Sequence, residues 1–162
     1  MSSESASTNA YLKGRVTLLK EFASPRFSWL AAGPEARYET WSRDENEFEE
    51  GGAGYFSPSS DVGLGLRGHL QTLEGGRSLH KASAYTGFTS RGMGPGADSG
   101  LVIESDASSA YLLSSNLIVS GSAMLRSSPG YSEFGLNLGL TIPFERRTGL
   151  YASDLPKSVM RF

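Results

Sequence analysis

The 162-residue sequence contains no cysteine, and it has neither a long apolar run nor a long run of lysine and arginine. Without cysteine the chain can form neither a disulfide framework nor a thiolate metal site. A membrane-spanning helix needs about 18 or more consecutive apolar residues, and no run approaches that length. The formal net charge of −2 also provides no basic field for nucleic acid. We therefore expect no disulfide scaffold, no spanning helix and no nucleic-acid partner.

Hydrophobic residues are scarce as well, at 38% of the chain, whereas glycine is abundant at 20 residues. A chain of this length fits one domain, but that composition does not favour a large α/β core. The first ten residues, MSSESASTNA, lack the basic and apolar segments of a signal peptide, so an exported protein would need a longer precursor. We expect a disordered segment over residues 1–9, strands over 10–145 and a tail over 146–162.

The sequence does contain a recurrent two-residue alternation. In FGLNLGLTIPF, residues 134–144, large apolar side chains occupy every second position, with glycine, proline or polar residues between them. Successive side chains of a strand point to opposite faces, so this segment is a strand with one apolar side. Similar segments, separated by turn residues, predict strands at about 10–22, 26–42, 61–73, 78–91, 100–113, 117–126 and 134–144. We predict an all-β fold, an antiparallel up-and-down meander of about seven or eight long strands.

The predicted connections alternate in length, with short ones after the first, third and fifth strands and longer ones after the second, fourth and sixth. This asymmetry and strands of about ten residues are typical of outer-membrane β-barrels. Charged side chains lie opposite the apolar positions: Arg15, Glu35, Arg37, Glu39, Arg67, His69, Lys81, Glu104 and Asp106. In a barrel they would line a watery lumen and the apolar set would face lipid, whereas in a soluble sandwich the apolar set would form the core. We favour the barrel.

The segment GGAGYFSPSSDVGLGL, residues 51–66, resembles part of the outer-membrane domain of cellulose synthase operon protein C. That family has a GGYFSP-type segment followed by a strand of alternating leucines, and the matching residues here are Gly52, Gly54, Tyr55, Phe56, Ser57 and Pro58, with Ala53 as a departure. FSWLAAGPEARYETW resembles the strand that precedes this motif in the family, the last predicted hairpin resembles the family's last hairpin, and Asp154-Leu155-Pro156 resembles the short extension after it. The resemblance therefore extends over about residues 10–156, by motif order.

The resemblance implies a bacterial outer-membrane barrel that exports cellulose and follows a periplasmic tetratricopeptide scaffold. No such helical repeat occurs in this sequence. The family's barrel has about twice the strands predicted here, and bacterial barrels contain an even number, eight or more, so the chain resembles the C-terminal half of a larger barrel. A self-contained small barrel would need an eighth strand near 147–153. The last strand resembles the closing signal for outer-membrane insertion, carried by Phe134, Leu136, Leu138, Leu140 and Phe144.

Each candidate site has a structural interpretation beside the functional one. Tyr55-Phe56-Ser57-Pro58, in the longest loop, would offer sugar rings an aromatic platform at a pore mouth, or would only pack the loop against the rim. The acidic run from Asp44 to Glu50 would bind divalent cations only with a calcium-loop spacing, which it lacks. The nine lumen-facing charges would contact a polymer, or would pair with one another and brace the wall.

Catalytic signals are weak throughout the chain. His69 and His80 lack clustered metal ligands, and GLGLRG, residues 63–68, lies inside a predicted strand. We therefore predict no enzyme, no cofactor and no metal. The predicted function is an outer-membrane channel wall for passive export of cellulose or a related exopolysaccharide. Its partners would be membrane lipid, the glucan chain, the upstream strands and the tetratricopeptide scaffold. The alternatives are a soluble carbohydrate-binding sandwich and an autonomous eight-stranded barrel with a structural or adhesion role.

Overall fold

The chain is an all-β protein whose strands form one antiparallel sheet. A computed structural model describes residues 11–41, 60–91, 98–129 and 131–156. The strands are β1 (Tyr11–Thr17), β2 (Lys20–Glu21), β3 (Phe27–Trp41), β4 (Asp61–Thr72), β5 (Ser78–Arg91), β6 (Asp98–Ser114), β7 (Leu117–Ser128) and β8 (Tyr131–Thr141). The predicted antiparallel meander is therefore confirmed.

The order of strands in the sheet is β1-β3-β4-β5-β6-β7-β8, with β2 also paired to β3. From β3 onward, each strand pairs with the next strand in the chain. β1 and β2 form one edge and β8 forms the other, and among the described residues no ladder joins the two edges. The described sheet is therefore open.

A proline on the neighbouring strand divides the predicted first strand, 10–22, into β1 and β2. Both of these strands pair with β3 in one continuous register. Between them Leu18 donates its N–H to the Pro34 carbonyl at 3.0 Å, but Pro34 has no N–H to return. The Leu18 carbonyl instead packs so tightly on Gly33 that a Cβ there would lie 1.8 Å from the oxygen. The prediction of one uninterrupted strand over 10–22 is therefore wrong. The strand is interrupted by Pro34 on β3, a residue outside the predicted segment.

The last predicted strand, 134–144, lies three residues too far along the chain at both ends. β8 covers Tyr131–Thr141, because its partner β7 begins at Leu117 and the ladder ends with Ile118 opposite Thr141. Beyond that point Pro143 has no N–H to continue a ladder. β7 extends to Ser128, so two residues separate it from β8, and the predicted longer connection after the sixth strand is wrong.

The tail, residues 142–156, crosses the rim of the sheet where the short turns lie. Leu150 accepts a backbone hydrogen bond from Gly75 at 2.8 Å and donates one to the Gly76 carbonyl at 2.9 Å, both in the β4–β5 turn. The Leu150 side chain is completely buried. It packs among apolar residues at the strand ends: Leu79, Ala110, Leu112 and Ile118. The tail therefore closes the short-turn rim with an apolar cluster.

The described tail contains a 3-10 turn at Ala152–Asp154 and no eighth strand near 147–153. Its backbone groups bond to turns rather than to a strand edge, because Arg147 donates its N–H to the Ser115 carbonyl at 2.8 Å and Leu150 bonds to the β4–β5 turn. The described tail therefore lacks the eighth strand that a self-contained small barrel would need. The predicted segment 1–9, the acidic run and the loop residues Tyr55, Phe56, Ser57 and Pro58 lie outside the described residues.

Candidate functional site on the charged face

The two faces of the sheet have opposite chemistry. Residues directly opposite one another in a ladder share a face, so the registers assign the alternate residues of every strand. The charged face carries six cations and seven acids among the strand side chains that the structure describes: Lys13, Arg15, Arg37, Arg67, Lys81, Arg126, Glu21, Glu35, Glu39, Asp61, Glu104, Asp106 and Glu133. Its formal charge is therefore nearly balanced.

The apolar face carries most of the exposed large hydrophobic side chains of the same strands. They are Leu12, Val16, Tyr38, Val62, Leu64, Leu66, Phe88, Leu101, Ile103, Tyr111, Leu113, Leu125, Phe134, Leu136, Leu138 and Leu140. Leu138 is 76% exposed, whereas Glu35 on the charged face is 2% exposed. Burial across this sheet is therefore the reverse of the pattern in a water-soluble sandwich, whose apolar face is covered.

Glu35 on β3 is the centre of an ion cluster on the charged face. Its carboxylate accepts hydrogen bonds from Arg37 Nε at 2.7 Å, from Arg67 Nη2 at 3.1 Å and from Thr17 Oγ1 at 3.0 Å. Arg67 Nε also donates to it, and Arg15 Nε lies 3.5 Å away. A buried carboxylate is tolerated only with such partners, so these contacts compensate its lost hydration.

Glu104 on β6 extends the cluster across the sheet. Arg37 donates to both of its carboxylate oxygens, at 2.7 and 2.8 Å, and Arg126 Nε on β7 lies 3.3 Å from Oε1. β3 and β6 are separated by β4 and β5, so in a flat sheet their backbones would lie about 14 Å apart. Because Arg37 and Glu104 are in direct contact, the sheet curves toward its charged face.

Tyr85 on β5 provides the surface on which the arginines pack. The Arg37 guanidinium lies 3.4 Å from the centre of the Tyr85 ring, and that of Arg67 lies 5.4 Å from it. Both distances fall within the range of cation–π attraction. The phenol fits because its neighbour on β5 is Gly87, where a Cβ would lie 2.3 Å from the Tyr85 hydroxyl.

All nine predicted lumen residues lie on the charged face. The ion cluster joins four of them, namely Arg37, Arg67, Glu35 and Glu104, with Arg15 at its edge. Glu39 lies apart from it and pairs with Lys13. His69, Lys81 and Asp106 instead line a cavity beside the cluster. The predicted set therefore divides into a braced region and an open region.

The residues of this face that sequence reasoning missed include Trp29, Tyr85 and Arg126. The signal was available for Tyr85, because the alternation that places Lys81 on this face also places Tyr85 there. Arg126 lies near the end of a predicted strand and is likewise in phase with Glu104 through the β6–β7 register. Trp29 was assigned to a strand but not to a face, and a bulge between Phe27 and Trp29 shifts the local register.

The predicted insertion-signal residues lie on the apolar face of the edge strand β8, except for Phe144. Phe134, Leu136, Leu138 and Leu140 are all exposed, and Phe144 lies three residues beyond the end of the strand.

Among the described residues, no helix has the length and apolar character needed to cross a membrane. The same residues contain no group of three or more His, Asp or Glu side chains placed to hold a metal ion. Comparison of the chain with models of protein families, with curated proteins and with solved structures finds no match.

Proposed function

We propose that this chain is part of the wall of a bacterial outer-membrane β-barrel that conducts cellulose or a related exopolysaccharide out of the cell. The apolar face contacts lipid, and the charged face lines the interior. The open edges β1 and β8 pair with further strands, which a longer form of the protein would supply upstream.

One observation carries the membrane assignment, namely the reversed polarity of the sheet. Water-soluble antiparallel sheets place apolar residues on the covered face and charges in water. Here the carboxylates of Glu35 and Glu104 are buried, while the leucines of β8 are exposed. Exposure of so many contiguous apolar residues to water is unfavourable, by about 25 cal/mol for each Å². Lipid removes that penalty, and a soluble sandwich would need a second layer over the apolar face.

The polysaccharide assignment depends on the near balance of charge on the interior face and on the resemblance of residues 51–66 to the cellulose-export family. A neutral, hydrated glucan needs hydrogen-bonding partners but no strong electrostatic field. A wall with a large net charge would instead suit a charged polymer. The mechanism is passive, because the wall supplies hydration and hydrogen bonds while synthesis of the polymer drives its movement. The proposal assigns no catalytic residue.

A second candidate is supported by the contact between Arg37 and Glu104. Side chains that bridge β3 and β6 fill the space between these strands, and a barrel filled by its own side chains leaves no passage for a polymer. In that case the chain has a structural or adhesion role in the membrane.

The absence of cysteine makes the membrane assignment directly testable, because every introduced thiol is unique. Leu66→Cys, Leu138→Cys, Asn137→Cys and Lys81→Cys would each be labelled with an environment-sensitive fluorophore in the full chain, folded into lipid vesicles. We expect nitroxide lipids to quench the labels at 66 and 138, and aqueous iodide to quench those at 137 and 81. Iodide quenching at all four positions would contradict a lipid-facing surface.

Passage of the polymer is tested separately in planar bilayers that contain the chain folded together with the strands that close its edges β1 and β8. We expect a conductance that soluble cellohexaose blocks and that the anionic oligomer hexagalacturonate blocks less. A chain that inserts, as judged by the lipid quenching at 66 and 138, but conducts no ions would support the structural or adhesion role instead.

A further inference from the structure

The charged face contains an open cavity next to the ion cluster. Its volume is about 320 Å³, and its lining includes Trp29, His69, Lys81, Ser83 and Asp106. That volume is at the lower end of the range for small-molecule sites, about 300–1,000 Å³. On the other side of Tyr85 the space amounts to only about 20 Å³. The side chains of the cluster therefore fill one part of the face and leave the neighbouring part empty.

A pair of stacked rings forms one wall of this cavity. Trp29 on β3 and His69 on β4 lie with ring centres 4.9 Å apart and planes inclined by 17°. Trp29 Nε1 donates a hydrogen bond to Glu21 Oε1 at 3.2 Å, which fixes the rotation of the indole. Aromatic rings that are held in this way present a flat apolar surface with polar groups at its edge.

The rest of the lining is polar and contains both donors and acceptors. His69, Ser83 and Asp106 lie directly opposite one another on β4, β5 and β6, so one row of side chains crosses three strands. Lys81 follows in the next row, facing Gln71. An ammonium, a hydroxyl and a carboxylate offer charge-assisted and neutral hydrogen bonds to a ligand that itself both donates and accepts.

The geometry points to a pyranose-binding subsite in this cavity, formed by the Trp29–His69 stack and by Lys81, Ser83 and Asp106. A pyranose has an apolar C–H face, which packs on an aromatic ring, and an equatorial belt of hydroxyls, which bonds to mixed polar groups. Arg15 and Arg67 also line the cavity, but both guanidinium groups pair with Glu35, so Lys81 and Asp106 remain as one cation and one acid and the occupant is a neutral sugar unit. The inference rests on the proposed export function and locates a step of the pathway at which a sugar unit pauses.

The test measures binding of cellohexaose to the full chain folded in detergent micelles, by isothermal titration calorimetry. We expect Trp29→Ala to weaken binding about tenfold and Trp29→Phe, which keeps a ring, to weaken it about threefold. Phe88→Ala is the matched control, because Phe88 is an aromatic residue on the apolar face and its loss should leave the affinity unchanged. His69→Ala should weaken cellohexaose binding, whereas His69→Phe, which keeps a ring to stack on Trp29, should retain it. If Trp29→Ala does not fold, the Trp29→Phe and His69 variants still decide the outcome.

Equal affinity of the Trp29 variants and the unsubstituted chain would overturn the subsite, as would tighter binding of hexagalacturonate than of cellohexaose. Failure of the subsite is distinguishable from failure of the proposed function. A chain that inserts in lipid and conducts, but whose cellohexaose block is insensitive to Trp29→Ala, retains its export function without this subsite. A chain whose thiol labels are all quenched by iodide lacks the membrane function itself.

Discussion

Arg37 and Glu104 share two hydrogen bonds of 2.7 and 2.8 Å although two other strands lie between the strands that carry them. Two parallel N–H···O bonds between a guanidinium and a carboxylate are among the strongest polar contacts in proteins. Arg37 also contacts Glu35 and the Tyr85 ring. A single arginine thus links the side chains of β3, β5 and β6, and its removal should affect the whole sheet.

Glu104→Leu should lower the free energy of unfolding by about 3–5 kcal/mol, because it leaves buried arginines without their carboxylate. The double variant Arg37→Met/Glu104→Leu should recover part of that loss, since it removes the unpaired charge and fills similar space. Urea unfolding in detergent micelles measures both changes. Glu145→Gln, at an exposed carboxylate in the tail, is the control and should have little effect. Equal stability of the Glu104 variant and the unsubstituted chain would contradict the cluster's structural role.

Gly33→Ala should destabilise the edge of the sheet by about 1–3 kcal/mol or more, because overpacked sites force the backbone to move. The new Cβ would lie 1.8 Å from the Leu18 carbonyl oxygen. Gly14→Ala, on β1, is the matched control, since no atom lies within 4 Å of its Cβ position. Amide hydrogen exchange of β1 reads out the difference. Faster exchange in both variants, or in neither, would contradict the close approach at Gly33.

Leu150→Ala should reduce stability by about 2–5 kcal/mol, as expected for a leucine removed from a closely packed site. The completely buried Leu150 side chain joins the tail to the strand ends, so the tail should also become more sensitive to limited proteolysis. Leu138→Ala, on the apolar face of β8, should change neither property appreciably in micelles. A protease-resistant tail in the Leu150 variant would show that its backbone hydrogen bonds to the β4–β5 turn are sufficient.

Leu138→Arg and Asn137→Arg place the same charge at adjacent positions on opposite faces of β8. If the apolar face contacts lipid, Leu138→Arg should cost about 2–4 kcal/mol near the bilayer midplane, while Asn137→Arg is tolerated. Folding efficiency into vesicles, read from the change in gel mobility on heating, separates the two. Similar folding of both variants would argue against lipid on that face.

The sequence predicted local features of the sheet well and long-range features poorly. The alternation Phe134, Leu136, Leu138, Leu140 is set by adjacent residues, and it placed these side chains on one face correctly. The interruption after Thr17 depends on Pro34, a residue on the paired strand that the local pattern does not include. The start of β8 at Tyr131 likewise depends on how far β7 continues as its partner.

In the candidate site, too, the sequence predicted the local features and missed the long-range contacts. Alternation placed Glu35, Arg37, Arg67 and Glu104 on one face, but it could not indicate which of them meet, because Arg37 reaches Glu104 only through the curvature of the whole sheet. It also could not separate these residues from His69, which lines a cavity instead of joining the cluster. Contacts across non-neighbouring strands follow from tertiary geometry that no short segment encodes.

The strand order has a consequence for how the chain folds. From β3 onward every ladder of the described sheet joins strands that are consecutive in the chain, so none of these ladders needs a distant partner. The longest connection, residues 42–60, adds only modestly to the loop-closure cost, since each doubling of length costs about 0.6 kcal/mol. We expect the hairpins β4–β5 and β6–β7, joined by short turns, to form first, and the β1–β3 unit to dock last. Folding can thus proceed by adding one strand at a time to a growing edge.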